Sequence, residues 1–297
     1  MEAILFIGHG SRDPEGNQQL LQFTNQVAKR LTEPVIETCF LELALPDIRD
    51  GIRSCVKRGA THITVVPLML FPAGHFKTHI PHELFHAMEA YPHVTFRYAQ
   101  ALGVNAYTRS ILEDRLFQAG FKHDGEGRSE SAVLVVGRGS SDADANSELY
   151  KMSRLLYERA PVAMVETAFM GVTDPLFAQG IERCVRLGAR EIYVLPYFLF
   201  TGILIKRMEQ AIPSLEEIYG IRIVLGEYFG YHSLLADLVL ERISEAKQGI
   251  GAPLDELIIL AKHHHHEHHH EHHHEHHHEH HHEHHHEHAF AVKEERP

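Results

Sequence analysis

The sequence predicts an α/β protein built from two tandem copies of one parallel-sheet domain, followed by a disordered histidine-rich tail. Three observations carry this. Residues 132–248 align on residues 3–119 at a constant shift of 129 positions without a gap. Each copy alternates short apolar runs with stretches of helical periodicity, the pattern of strands covered on both faces by crossover helices. From His263 to His288 the chain is histidine and glutamate alone, a composition that buries nothing.

In the first copy Ala3–Ile7 is an apolar run stopped by the glycines of Gly8-His9-Gly10, and reads as a strand. Pro14–Leu31 places Leu20, Phe23, Val27 and Leu31 at helical spacing, and Val35–Leu43 is the second strand. Pro46–Arg58 forms a helix with Ile48, Ile52, Cys55 and Val56 on one side, closed by Gly59. Ile63–Met69 is a strand, Pro81–Ala90 a helix, Val94–Tyr98 a strand and Ala106–Ala119 a closing helix. The second copy repeats the strands at Ala132–Val136, Val162–Phe169, Glu191–Leu199 and Ile221–Leu225. The domains are accordingly 1–122 and 132–248, joined by a polar, glycine-bearing linker at 123–131 and followed by a tail at 249–297.

Composition narrows the function. The chain has 297 residues, 44% of them hydrophobic, enough for two cores. No apolar stretch is long enough to span a membrane and no signal-peptide core follows Met1, so a cytoplasmic protein is expected. A formal charge of −12 argues against a nucleic-acid groove. Cys39, Cys55 and Cys184 have neither disulfide nor zinc-site spacing. The oligomeric state is not legible.

The places where the copies differ in chemical type are informative because glycines, prolines and apolar positions agree. Gly8-His9-Gly10-Ser11 falls on Gly137-Arg138-Gly139-Ser140, Pro46 on Pro175, Pro67 on Pro196 and Lys77 on Lys206. Against that background His9 faces Arg138, Glu42 faces Gly171, and His75 faces Leu204. Right-handed crossovers bring the C-terminal ends of the strands to one edge, so His9, Glu42 and His75 are expected to converge there. Two imidazoles and a carboxylate suit a divalent metal with open coordination positions, or proton transfer. The plain structural alternative is a helix-capping His9 and a loop His75.

Ser11 and Ser140 occur in both copies and read as helix caps, and Glu37 and Glu166 as structural residues. No Walker lysine follows the glycines, so ATP is not expected. His79, His82 and His86 recur at helical spacing after His75, where they could pass metal toward it or form a solvated helix face. The tract from His263 holds 20 histidines punctuated by glutamate, and its first residues, His263, His264, His265 and His266, are candidates for a metal reservoir.

The segments Ile7-Gly8-His9-Gly10-Ser11-Arg12, Phe40-Leu41-Glu42-Leu43-Ala44-Leu45-Pro46 and Val66-Pro67-Leu68-Met69-Leu70-Phe71-Pro72-Ala73-Gly74-His75 resemble the class II tetrapyrrole chelatases that act on sirohydrochlorin. The resemblance extends over residues 1 to about 245. It implies two flavodoxin-like, chelatase-like domains in the long bidomain form, with a degenerate second half that completes the cleft. It also implies that His9, Glu42 and His75 bind the metal and accept pyrrole protons, and that Leu70, Phe71, Pro72, Ala73 and Gly74 contact the macrocycle. Some relatives carry an acidic residue where this chain has Leu45, so no substrate contact is assigned there.

The implied activity is that of a lyase: ATP-independent insertion of a divalent metal into sirohydrochlorin, with cobalt favoured and cobalamin biosynthesis the setting. Iron insertion for sirohaem is the alternative, and nickel is a further metal that the tail would suit. Sirohydrochlorin is a polycarboxylate, so Arg12, Lys77, Arg138, Lys206 and Arg207 are candidate partners, Arg138 above all. Two readings of other classes are a metal storage or chaperone protein and a zinc hydrolase, the latter without any HExxH-type signal.

Overall fold

A computed structural model describes residues 1–122, 130–160 and 162–263. The expected linker lies outside the described residues except for Glu130 and Ser131, and Ser131 already belongs to a strand. Of the reservoir candidates His263 is described, whereas His264, His265 and His266 lie outside with the rest of the tract.

The first repeat runs β1 (Glu2–Gly8), α1 (Pro14–Ala28), β2 (Val35–Phe40), α2 (Ile48–Lys57), β3 (His62–Pro67), a π-helical turn (His75–His79), α3 (Ile80–Ala90), β4 (Thr95–Tyr98) and α4 (Ala106–Gln118). The second runs β5 (Ser131–Gly137), α5 (Ala143–Tyr157), β6 (Met164–Phe169), α6 (Phe177–Arg186), β7 (Glu191–Pro196), α7 (Ile203–Tyr219), β8 (Arg222–Leu225) and α8 (Ser233–Lys247). Each forms a four-stranded parallel sheet, ordered β2-β1-β3-β4 and β6-β5-β7-β8. Even the register repeats, Phe6 lying opposite Thr38 as Val135 lies opposite Thr167.

Strand periodicity explains the layering. Side chains alternate across a sheet, and the central strand β1 sends Ile4 and Phe6 to one side and Ala3, Leu5 and Ile7 to the other. The outer set packs within the first repeat against Ile48 and Ile52 of α2 and Ile80 and Leu84 of α3. Ile4 and Phe6 instead share a cluster with Val133 and Val135 of β5, through Phe23, Leu112, Met152 and Leu238 on α1, α4, α5 and α8. One apolar layer is thus common to both repeats. Burying each of these side chains contributes about 1.5–3 kcal/mol.

Several boundaries shift for local reasons. β2 stops at Phe40 because the chain turns at Leu43, whose φ is 62°. α2 starts at Ile48, since the Asp47 carboxylate accepts the Asp50 amide and Pro46 stays outside with its carbonyl accepting from Phe40. The caps of α1 and α5 are Asp13 and Asp142, not the expected serines: Ser11 and Ser140 accept the amides of those aspartates one turn earlier. Residues 254–263, assigned to the tail from sequence, are helical, with Ile258 and Ala261 buried and Leu254 and Leu257 against the outer core of the first repeat. Ala252 ties this return to the Tyr98 carbonyl.

Backbone bonds from Leu41 to Gly8 and from Glu42 to His9 clasp the loops after β1 and β2. Gly10 makes that approach feasible: its φ is +88°, and a Cβ there would lie 1.7 Å from the Glu42 carbonyl oxygen. Gly139 repeats this against Gly171 at φ +89° and 1.9 Å. Gly10→Ala and Gly139→Ala should each cost about 2 kcal/mol or more in urea unfolding. A loss below about 0.5 kcal/mol at either position would contradict the clasp.

Candidate metal centre

His9 leaves the end of β1, Glu42 stands two residues beyond β2, and His75 opens the π-helical turn, so all three sit at the C-terminal edge of the first sheet. The structure brings them together. His9 Nδ1 is 3.6 Å from Glu42 Oε1, and the His9 and His75 rings meet edge to face at 4.9 Å between centroids. One donor atom from each lies within 4.8 Å of the others, and among the described residues this is the one group of three such side chains that meets so closely. Donors around one ion at about 2.0–2.2 Å are about 3–4 Å apart, so side-chain rotation suffices to close the group on a cation.

Burial, helped by neighbouring charges, favours the neutral form of both imidazoles. The His9 pKa is lowered by burial and then by the Arg138 guanidinium; that of His75 is lowered by burial, then by His9 and His79. Arg138 Nη1 is 2.9 Å from His9 Nε2. A guanidinium only donates, so Nε2 is the acceptor and the ring proton sits on Nδ1, 3.2 Å from the Gly10 carbonyl. A neutral ring is the form that binds metal or takes up a proton. Burial drives the Cys55 and Cys184 thiols up to about 12, and that of Cys39 higher still, so none supplies a thiolate at neutral pH.

The π-helical turn is not legible in the sequence, which places the helix start at Pro81. It turns His75 and His79 toward one another, Nδ1 to Nδ1 at 2.9 Å. Phe76 anchors it, stacked on buried Tyr98 at 4.8 Å, with the Tyr98 hydroxyl donating to the Phe76 carbonyl. His79 therefore joins the site as a neighbour of His75.

The second repeat closes over this edge with approximate twofold symmetry. Lys77 donates to Asp142 at 2.7 Å, and its repeat equivalent Lys206 donates to Asp13 at 2.6 Å. These lysines, expected to meet substrate carboxylates, instead fasten each repeat to the helix cap of the other. Lys206 and the helix amide hold the Asp13 carboxyl below its usual range, and Lys77 does the same for Asp142. His9 touches Arg138, its own equivalent, so this pair lies on the pseudo-axis. In the loop after β3, Leu70 and Phe71 pack against the shared core, Phe71 stacking on Tyr197 at 5.1 Å. Pro72 and Ala73 are half-buried and Gly74 is exposed. Leu43, not singled out from the sequence, and Leu45, where no substrate contact was assigned, expose large apolar side chains just beyond Glu42.

Comparison with known proteins bears on this arrangement. The CbiX family description matches residues 3–119 and again 132–246. A sirohydrochlorin cobaltochelatase of Priestia megaterium is 45% identical over 84% of this chain and 81% of its own length. A sirohydrochlorin ferrochelatase of the same organism is 35% identical over 86% and 94%. Among solved structures, SirB from Bacillus subtilis with Fe3+ superposes at a TM-score of 0.75, with 32% identity over 84% of this chain and 98% of that one. SirB from the subspecies spizizenii in complex with cobalt gives 0.72, with 30% identity over 84% and 97%.

Followed by imidazole NMR, His9 and His75 should titrate with midpoints below about 6.5. Because the folded state disfavours their protonation relative to the unfolded chain, their contribution to stability is most favourable above about 6.5 and declines as the pH falls through and below it. A midpoint above that value for either ring would contradict the burial and charge effects described.

Proposed function

The chain belongs to the CbiX family, and on that footing we propose that it is a sirohydrochlorin cobaltochelatase, inserting Co2+ into the macrocycle without ATP. One observation carries this: two neutral imidazoles and a carboxylate gathered at a sheet edge, in a chain 45% identical to a cobaltochelatase. Cobalt is favoured over iron by that identity against 35% for the ferrochelatase of the same organism. Sirohaem iron insertion is the second reading, supported by the similarity to SirB with Fe3+. Among the described residues no helix is long and apolar enough to cross a membrane. We place the reaction in the cytoplasm, where free thiols such as Cys39, Cys55 and Cys184 persist.

Insertion removes two pyrrole protons and most of the water around the ion. His9, Glu42 and His75 supply three exchangeable ligands, firm enough to displace water and weak enough to yield to four ring nitrogens. As each histidine lets go of the ion, a neutral imidazole is left facing the ring and can take a pyrrole proton. His9 is the first acceptor in this scheme, with His75 and Glu42 assisting. Leu43 and Leu45 offer apolar surface to the macrocycle beside the loop 70–74. Arg138 binds a substrate carboxylate, leaving His9 Nε2 as the cation arrives. The tract 263–288 serves as a reserve of metal for this reaction.

In a visible-spectrum assay with sirohydrochlorin and Co2+, His9→Ala and His75→Ala should each lower kcat by about 10²–10⁴-fold. A spectrum unchanged by metal in the wild type would instead favour metal storage, and equal rates in wild type and His9→Ala would remove His9 from the reaction. Arg138→Ala should raise KM for the tetrapyrrole about tenfold at little cost in folding. An unchanged KM would refute the carboxylate contact.

A further inference from the structure

Beyond the π-helical turn, α3 carries a second pair of imidazoles that the reaction scheme leaves unused. His75, His79, His82 and His86 follow at intervals of four, three and four residues, which places them along one side of the π-helical turn and α3. His82 Nε2 and His86 Nε2 face each other at 3.3 Å, with ring centroids 4.6 Å apart. Two imidazole nitrogens bound at about 2.0–2.1 Å to one tetrahedral ion lie about 3.3 Å apart. The pair already has that bite.

Carboxylates stand beside both rings. His86 Nδ1 is 3.4 Å from the Glu89 carboxylate and His82 Nδ1 4.0 Å from that of Glu83. At these separations the carboxylates do not hydrogen-bond the rings, but their charge favours a ring proton on Nδ1 over Nε2, the tautomer of metal-bound histidines. Arg49 also holds Glu83, through bonds of 2.7 and 3.1 Å, so Glu89 is the stronger of the two supports. At 3.3 Å the two Nε2 atoms are within reach of a shared proton, whose place a cation between them would take. The pair is open to solvent, His82 being 26% and His86 49% exposed.

Its place in the fold is equally specific. The helix at 254–263 returns to this side of the first repeat, with Lys262 Nζ 3.6 Å from the centre of the Phe85 ring and Phe85 5.5 Å from His86. The next residue, His263, is exposed and opens the histidine tract. We propose that His82 and His86 form a second divalent-cation site, between the origin of that tract and the His9–Glu42–His75 group, which supplies the group with its ion. The supply role rests on the chelatase reading; the cation site does not.

Crystals of the full-length protein soaked in Co2+ test the site directly. The expected result is an anomalous cobalt peak about 2.1 Å from both Nε2 atoms, which the double variant His82→Gln, His86→Gln loses while the peak at His9, Glu42 and His75 persists. A peak at the latter group with none between His82 and His86 overturns the site. In the tetrapyrrole assay the same variant should need about threefold more cobalt for half-maximal rate, with the maximal rate unchanged. An unchanged half-saturating concentration overturns the supply role. Failure of the chelatase reading would look different, as wild-type protein that leaves the tetrapyrrole spectrum unaltered while the cobalt peak on α3 remains.

Discussion

Everything at the site depends on where the approximate twofold axis passes. When two copies of a fold pack about such an axis, a residue beside it meets its own counterpart, and position 9 meets position 138 at 2.9 Å. Two histidines at that crossing would present two equivalent half-sites competing for one volume. Arginine there removes the ambiguity: it cannot ligate a cation, it donates to the remaining histidine, and it disfavours that histidine's protonation. Crowding at the backbone does not account for the loss of the second carboxylate, because a Cβ on Gly171 would meet nothing within 4 Å. The asymmetry is chemical, laid over a backbone that stays symmetric down to the paired Lys77–Asp142 and Lys206–Asp13 contacts.

In the proposed reaction the same arrangement reconciles capture with release. A cation must find deprotonated ligands at neutral pH, which burial of His9 and His75 provides, yet it must not be held as thiolates would hold it. The three cysteines are buried and protonated, so they do not compete. Glu42, largely open to solvent, supplies the negative charge that the neutral imidazoles lack. Arg138 meanwhile occupies the acceptor nitrogen of His9.

Much of this is legible in the sequence, because the repeat acts as an internal control. The gapless shift shows that both copies carry the same succession of strands and helices, and right-handed crossovers then predict that His9, Glu42 and His75 share an edge although they are distant along the chain. What escapes is geometry that depends on packing. The π-helical turn arises from Phe76 burying itself against Tyr98, a contact between residues far apart in sequence. Lys77 and Lys206 look like substrate partners until the second repeat is docked, when both are found bound to aspartates across the interface. Helix 254–263 is likewise hidden, since Leu254, Leu257, Ile258 and Ala261 make an apolar face with meaning only beside the first repeat's core.

The apolar layer common to both sheets also constrains motion. Ile4, Phe6, Val133 and Val135 reach into it from the central strands, and α1, α4, α5 and α8 fill it. Swinging one half away from the other would strip water-averse surface from the middle of the molecule, at a cost far above thermal energy. A clamshell movement of the two halves is therefore disfavoured. A guest at the C-terminal edge of the first sheet is met by two halves that keep their mutual orientation.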